Sequence, residues 1–388
     1  MKKTPLILIE AIAIIVGTII GAGVFTLPYV AEYSGMSIFL FWLIIVTMII
    51  TFLHLLYGEV VLRTPKEFRL PGYAGYYLGA KAKRFILVTT FLTFSFSLLI
   101  YLILGGDFLR VILGFLFPGV DIPSGLLTII LWLVFSLFIV NANQKITAIN
   151  FYLSFLLLII FLVISFQALP HFSFSQINWL HFNNHWGWLL PYGVIFFAVN
   201  GMVAIPEAAK IIKRRKLESK LKRIIIIGTL IPVICYLLFV LSVVGVSGEH
   251  TSRDAISGLI GVLGKPIVFL GALLGFLAVA TSYLIFADYI KNSFIYDFKW
   301  TPFISYLVVV LGPLVLYLSN FANIIKLMSF IGGLLGGLEG IMLVLIAEKA
   351  KKSSSVTPNY RVPLDKKIAA ILIVALLVGA LCQTFLVY

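Results

Sequence analysis

Charge is what this chain has least of. Asp, Glu, Lys and Arg make up 11% of its 388 residues, against about a quarter in an ordinary soluble domain. Acidic residues are the scarcer kind, 15 against 29 basic, leaving a net charge of +14. Cysteine is nearly absent. Cys235 and Cys382 each lie inside an apolar run, which excludes a disulfide framework and a cysteine metal cluster. Enzyme signatures are missing as well. His54 begins no zinc-protease pattern, no aspartate-rich pair suits prenyl transfer, and there is no P-loop. The expectation is therefore a protein that is not an enzyme and carries no cofactor. No small-residue cleavage site follows Lys2, Lys3 and the first apolar stretch, so that stretch reads as a retained helix rather than a signal peptide.

What the chain does have is apolar length. Hydrophobic residues make up 61% and mean hydropathy is +1.12, which rules out a soluble enzyme and a disordered chain. A membrane-spanning helix takes ~20 apolar residues. The runs place spans near 6–31, 35–62, 85–106, 124–141, 147–169, 187–209, 224–247, 266–290, 301–318, 323–347 and 368–387. The fold class is thus an all-α membrane protein of about eleven transmembrane helices, one polytopic domain over 1–388. Basic residues accumulate on the cytoplasmic side of membranes. With the N-terminus inside and Tyr388 outside, 25 of the 29 Lys and Arg fall on the inner side. The same split disposes of nucleic acid as a partner. The densest basic run, Lys210 to Arg223, is a loop facing anionic lipid. The outer loop 170–186 carries His171, His181, His185, Trp179 and Trp186. His181 and His185 are four apart, a spacing that would suit a metal on a helix, but a Trp- and His-rich loop at headgroup level is the simpler reading.

Two spans are interrupted. The first contains Gly17-Thr-Ile-Ile-Gly21-Ala-Gly23-Val-Phe-Thr-Leu-Pro28, the sixth Phe196-Phe-Ala-Val-Asn200-Gly201-Met-Val-Ala-Ile-Pro206-Glu207. In both, Pro follows Gly by five residues, and each Pro should free the carbonyl four residues back, on Val24 and Met202. Lipid penalises unpaired backbone groups, so paired breaks point to a ligand-lined cavity. Five spans separate the two, which inverts the second copy. Repeat one covers about 6–169, repeat two about 187–347, and 368–387 is an addition. Broken segments at matching positions of inverted halves mark a transporter's binding site. The N–H groups of Gly21, Ala22 and Gly23 would form the positive end of a helix dipole, suited to a carboxylate. The carbonyls of Phe197 and Asn200, beside Gly201, would suit an ammonium. Together they fit the head of an amino acid.

These residues resemble the first-helix signature of amino acid–polyamine–organocation transporters. Tyr57-Gly-Glu-Val-Val-Leu-Arg-Thr64 followed by Leu70-Pro-Gly-Tyr-Ala74 is similar to the amino acid/auxin permease branch and its bacterial aromatic amino acid permeases. The resemblance implies the five-plus-five inverted repeat of the leucine transporter, with broken helices 1 and 6 and alternating access. It implies that the Ile19, Phe197 and Asn200 carbonyls take the amine, and that Phe197 occupies an aromatic gate. Several proton-coupled relatives carry a glutamate two residues after the sixth-span glycine; here that position is Val203, and Glu207 comes four later.

Ionisable groups at depth mark function. Glu207 and Glu339 are the coupling candidates. Glu207 otherwise serves as a dipole partner for the inner half of the sixth span, and Glu339 as a packing residue. Glu10 and Glu59, nearer the inner face, read as ion-pair formers. Ala278, Thr281 and Ser282 share one face of the eighth span, and with the Gly17 and Ile20 carbonyls they offer five hard oxygens for a small cation. They also match the position of the sodium site in the leucine-transporter fold. Some proton-driven relatives fill that place with a fifth-helix lysine; no Lys or Arg occurs between Lys145 and Lys210. The expectation is sodium-coupled amino acid symport across the cell membrane by a monomer, with the proton as alternative ion. Its rivals are an amino acid exchanger and an amino acid-sensing receptor of the same fold, such as a germinant receptor subunit.

Overall fold

The structure, a computed structural model, describes residues 4–119, 122–140, 156, 159–180, 187–319 and 323–387. The described residues hold no β-strand. The expected metal-spaced pair His181 and His185 lies outside them, as does most of the fifth span before residue 159.

The first span is two helices, α1 (Thr4–Ile19) and α2 (Gly23–Ser34), bent by 55°. Then come α3 (Met36–Arg63), α4 (Leu70–Leu78), α5 (Ala80–Leu116), α6 (Ser124–Val140) and the apolar helix α7 (Ile159–His171). The sixth span is again two helices, α8 (Leu190–Val199) and α9 (Ala204–Lys213). The remainder are α10 (Leu221–Ser247), the single turn α11 (Ile260–Leu263), α12 (Lys265–Phe298), α13 (Pro302–Leu318), α14 (Ile324–Phe330), a π-helical turn Ile331–Leu335, α15 (Gly336–Ser353) and α16 (Lys366–Val387). Among the described residues, seven helical stretches are long and apolar enough to cross a bilayer; the bent pair α1/α2 and the shorter apolar helices α6, α7 and α13 fall in the other four of the eleven expected spans.

The expected boundaries were too short at charged ends. α5 runs from 80 to 116 rather than 85 to 106, and α12 from 265 to 298 rather than 266 to 290. Lys81, Lys83, Arg84, Asp107 and Arg110 end the apolar run but not the helix, because Lys and Arg are good helix formers and a single Asp costs a long helix less than about 1 kcal/mol. At 1.5 Å per residue α5 is ~55 Å long, well beyond the ~30 Å hydrocarbon core. The nine-residue α4 was missed, being too short to register as an apolar run.

The broken helices lie at the centre. α1 packs on α9 and α10, α2 on α8 and α10, and α8 on α3 and the π-helical turn. The outward face of α3, with Phe41, Ile44 and Met48, is exposed at three-to-four-residue spacing, as a bilayer-facing stripe requires. α8 and the tenth span meet backbone to backbone. A Cβ on Gly193 would lie 2.4 Å from the Ser329 carbonyl, and one on Gly332 2.0 Å from the Gly193 carbonyl and 2.6 Å from the Phe197 nitrogen.

At the expected cytoplasmic end, Glu59 is the hub of an ion-pair cluster, as its position suggested. It meets Arg63 at 2.7 Å and Lys351 at 2.7 Å, and accepts the Val362 N–H at 2.7 Å. Tyr360, from the same segment, donates to the Leu55 carbonyl at 2.8 Å. Burial, and secondly the Glu59 charge, push its phenol well above the usual range, so it stays a donor. Cys235 and Cys382 are both free and sit on different helices.

Candidate functional site

Both breaks open onto one cavity of about 50 Å³. Ile19, Gly21, Ala22 and Gly23 line it from the first span, and Phe197, Ala198, Asn200, Met202 and Val203 from the sixth. Glu339, Ile331 and Gly332 reach it from the tenth span, and a face of α5 closes it with Thr93, Ser97 and Tyr101. Gly201 is buried beside these residues rather than in the wall itself.

The first break is made by backbone. Ile20 still donates to Val16 at 2.9 Å and closes α1, while Val24 donates to Gly21 and Phe25 to Ala22 in tighter turns that open α2. Between them, the N–H groups of Gly21, Ala22 and Gly23 have no backbone acceptor among the described residues. The Gly17 and Ile20 carbonyls correspondingly lack the donors four residues on that would complete a helix. The Ile19 carbonyl does not stand open: Tyr236 Oη donates to it at 2.6 Å, and reaches the Ala198 carbonyl at 3.3 Å. One hydroxyl thus bridges the two breaks.

The sixth-span break is made by side chains. Asn200 is extended (φ −69°, ψ 111°) and ends α8. The Gly201 N–H, which in a continuous helix would bond the Phe197 carbonyl, donates instead to His54 Nε2 at 3.1 Å. His54 Nδ1 lies 3.0 Å from Thr229 Oγ1. With Nε2 accepting, Nδ1 carries the hydrogen, so the ring is neutral and donates to Thr229. The next donor, Met202 N–H, goes to Asn200 Oδ1 at 3.1 Å, leaving the Ala198 carbonyl to Tyr236. His54 and Asn200 between them hold the helix open and leave the Phe197 carbonyl at the cavity wall.

The expectation for the prolines needs correction, and two residues do work that the sequence did not show. The prolines do not open the breaks. Pro28 lies inside α2 and Pro206 in the first turn of α9, and the Met202 carbonyl, expected to be free, accepts the Ile205 N–H at 3.2 Å. Gly23 does more than offer an N–H: a Cβ there would lie 2.6 Å from Ala198 Cβ and 2.7 Å from its Cα. The glycine lets α2 and α8 cross closely. His54, which matched no motif, is the prop of the sixth-span break. Its role was invisible because its partners are 147 and 175 residues away.

Of the coupling candidates, Glu339 lines the cavity, is 7% exposed, and accepts from Thr90 Oγ1 at 3.0 Å. Glu207 is exposed in the first turn of α9, where a carboxylate meets the helix dipole, and is not part of the cavity wall. For the cation set, Ser282 comes close to the first break: a Cβ on Gly21 would lie 3.1 Å from Ser282 Oγ. Thr281 Oγ1 donates to the Leu277 carbonyl at 2.9 Å and the Ala278 carbonyl at 3.1 Å, which spends its hydrogen and leaves its lone pairs.

Comparison with known proteins agrees with this geometry. One structural neighbour is the crystal structure of MhsT in complex with L-phenylalanine, with a TM-score of 0.71 at 15% identity over 97% of each chain. Another is Mhp1, a nucleobase-cation-symport-1 family transporter, in a closed conformation with bromovinylhydantoin bound, with a TM-score of 0.59 at 14% identity over 97% of this chain and 90% of the other. The fold is therefore that of the leucine-transporter type, which the first-span residues implied. A curated relative, Glutamine transporter 2 of Aliivibrio fischeri, is 25% identical over 280 residues, 70% of either chain. Residues 3–383 match the tryptophan/tyrosine permease family. With all but the two ends of the chain inside that match, this multi-pass membrane transporter belongs to the tryptophan/tyrosine permease family.

Proposed function

We propose that the chain is a cation-coupled symporter that moves an amino acid by alternating access at the cavity between the two breaks. One observation carries the reading: unpaired N–H groups of the first break and the unpaired Phe197 carbonyl of the sixth face the same cavity. A zwitterion complements that pair, its carboxylate toward Ala22 and Gly23 and its ammonium toward Phe197 and Asn200. The half-buried Phe197 is the gate. That MhsT was solved with L-phenylalanine and that the Aliivibrio relative is named a glutamine transporter supports an amino acid.

The ion is sodium. Ser282 beside Gly21, the unclosed carbonyls of Gly17 and Ile20, the Ala278 carbonyl and the lone pairs of Thr281 form a hard-oxygen set without a cationic side chain, which suits a small cation. The neighbour named as a cation symporter supports ion coupling. The protein works as a monomer in the cell membrane, its N-terminus and the 210–223 loop cytoplasmic, with the 6–169 and 187–347 repeats moving against each other. Purified protein in liposomes, given labelled amino acids under sodium and pH gradients imposed separately, tests the proposal. Accumulation driven by inward sodium and lost in Thr281→Ala/Ser282→Ala is expected. Accumulation that ignores sodium and follows the pH gradient overturns the choice of ion, and amino acid exchange without net uptake overturns symport.

A further inference from the structure

The wall of the cavity away from the breaks is polar, and a head group does not use it. Thr93, Ser97 and Tyr101 are spaced at four residues, so they stack on one face of α5. Tyr101 belongs to the head-group end, since its Oη lies 3.7 Å from where a Gly21 Cβ would be. Ser97 and Thr93 follow one and two turns further along. Ser97 Oγ donates to the Thr93 carbonyl at 2.7 Å, keeping its lone pairs. Thr93 is 8% exposed, and its hydroxyl lies beside the Glu339 carboxyl without a hydrogen bond of good geometry to it or to any other described residue. Glu339 adjoins them, with Thr90 using one of its acceptor sites out of about four on a carboxylate.

A ligand that desolvates this hydroxyl and carboxyl without matching them loses affinity. We propose that Glu339, Thr93 and Ser97 form a side-chain subsite for a primary carboxamide, so that the transporter selects glutamine- or asparagine-like amino acids over aromatic ones. The inference rests on the amino acid reading above. A carboxamide offers two N–H donors for Glu339 and Ser97 and one carbonyl for the Thr93 hydroxyl, which can rotate from Glu339 toward it. A cationic side chain would engage the carboxyl and leave Thr93 unmatched. An indole or phenol ring would leave both unmatched. It would also have to separate Phe94 from Phe286, whose ring centroids are 4.8 Å apart, and Phe286 from Tyr101, at 5.5 Å.

The test is competition for radiolabelled L-glutamine on the purified full-length protein in sodium-containing buffer, with labelled L-alanine in parallel. The competitors are glutamine, asparagine, methionine, tryptophan, lysine and arginine. Methionine matters most, being close to glutamine in shape but without the amide. Glutamine should compete at least about tenfold better than methionine, because a site built to hydrogen-bond a substrate group rejects analogues lacking it. Thr93→Val should shrink that ratio to within about twofold through loss on glutamine. Thr93→Ser, which restores the hydroxyl, should return it, and Glu339→Met should also collapse it. Methionine or tryptophan competing as well as glutamine overturns the subsite, as does preference for lysine or arginine. Equal loss of glutamine and alanine binding in Thr93→Val assigns Thr93 a packing role and overturns it too. Failure of every amino acid to bind the unmodified protein overturns the amino acid reading itself, an outcome separable from alanine binding without glutamine preference.

Discussion

The two breaks do the same work by opposite means. In the first span the interruption is written into the backbone: three glycines within seven residues, Gly17 to Gly23, and a 55° bend. In the sixth span one glycine suffices, because His54 and Asn200 capture the two donors that would have closed the helix. A break made of glycine is local and cheap to specify, but it is exposed to any added side chain. A break made by a prop on another helix tolerates more at the break itself and fails when the prop is removed. Tyr236 joins the two, so neither is independent of the other.

The largest separation between the breaks should come from adding a methyl group. Gly23→Ala places a Cβ 2.6–2.7 Å from Ala198, including its backbone Cα, whereas Gly201→Ala meets the Ile19 side chain at 2.7 Å and His54 at 3.4 Å. Backbone cannot step aside and a side chain can. Gly23→Ala should abolish substrate binding and lower the thermal midpoint by the larger margin, at the upper end of the ~1–3 kcal/mol typical of overpacking. Gly201→Ala should keep measurable binding. Equal losses in the two variants would erase the distinction between the breaks.

Next is the prop. His54→Ala leaves the Gly201 N–H buried without a partner, a cost of ~1–3 kcal/mol. The helix can recover it only by bonding the Phe197 carbonyl, which the proposed function reserves for the substrate amine. Binding should weaken while carboxylate-only analogues are affected less; a variant with unaltered amino acid affinity would show that the break holds without His54. The smallest effect belongs to the bridge. Tyr236→Phe removes one hydrogen from between Ile19 and Ala198 and should cost ~0.5–1.5 kcal/mol in stability. If the breaks move as a pair, it should alter the transport rate more than the binding constant, as steady-state uptake against equilibrium binding reads out.

This contrast also explains what was legible in the sequence. The first break could be read directly, since Gly21 and Gly23 lie in the segment they interrupt, and the depth of Glu339 in a hydrophobic run marked it out. The spans followed from apolar runs, short only where Lys81 or Asp107 ended the run without ending the helix. The sixth break was located correctly and explained wrongly: Pro206 was on the page, and His54 was on a different span. Thr93, Ser97 and Tyr101 were not legible because hydroxyls inside an apolar helix look alike in sequence whether they bond their own backbone, as Ser97 does, or face a group on another helix, as Thr93 faces Glu339. Only the facing helix decides.

The contact between α8 and the tenth span has a mechanical consequence. Where Gly193, Ser329 and Gly332 meet, main chain rests on main chain, and main chain has no rotamers with which to absorb a displacement. Most helix pairs are cushioned by side chains that can re-settle; this one behaves as a stiff joint. On the proposed function, a shift of α8 as its open end engages a substrate's amine would therefore pass undamped through the π-helical turn to the segment that carries Glu339. A ligand held at both places would then have its two ends gauged against each other by a rigid spacer, so that a molecule with the right head and the wrong length would be felt at both.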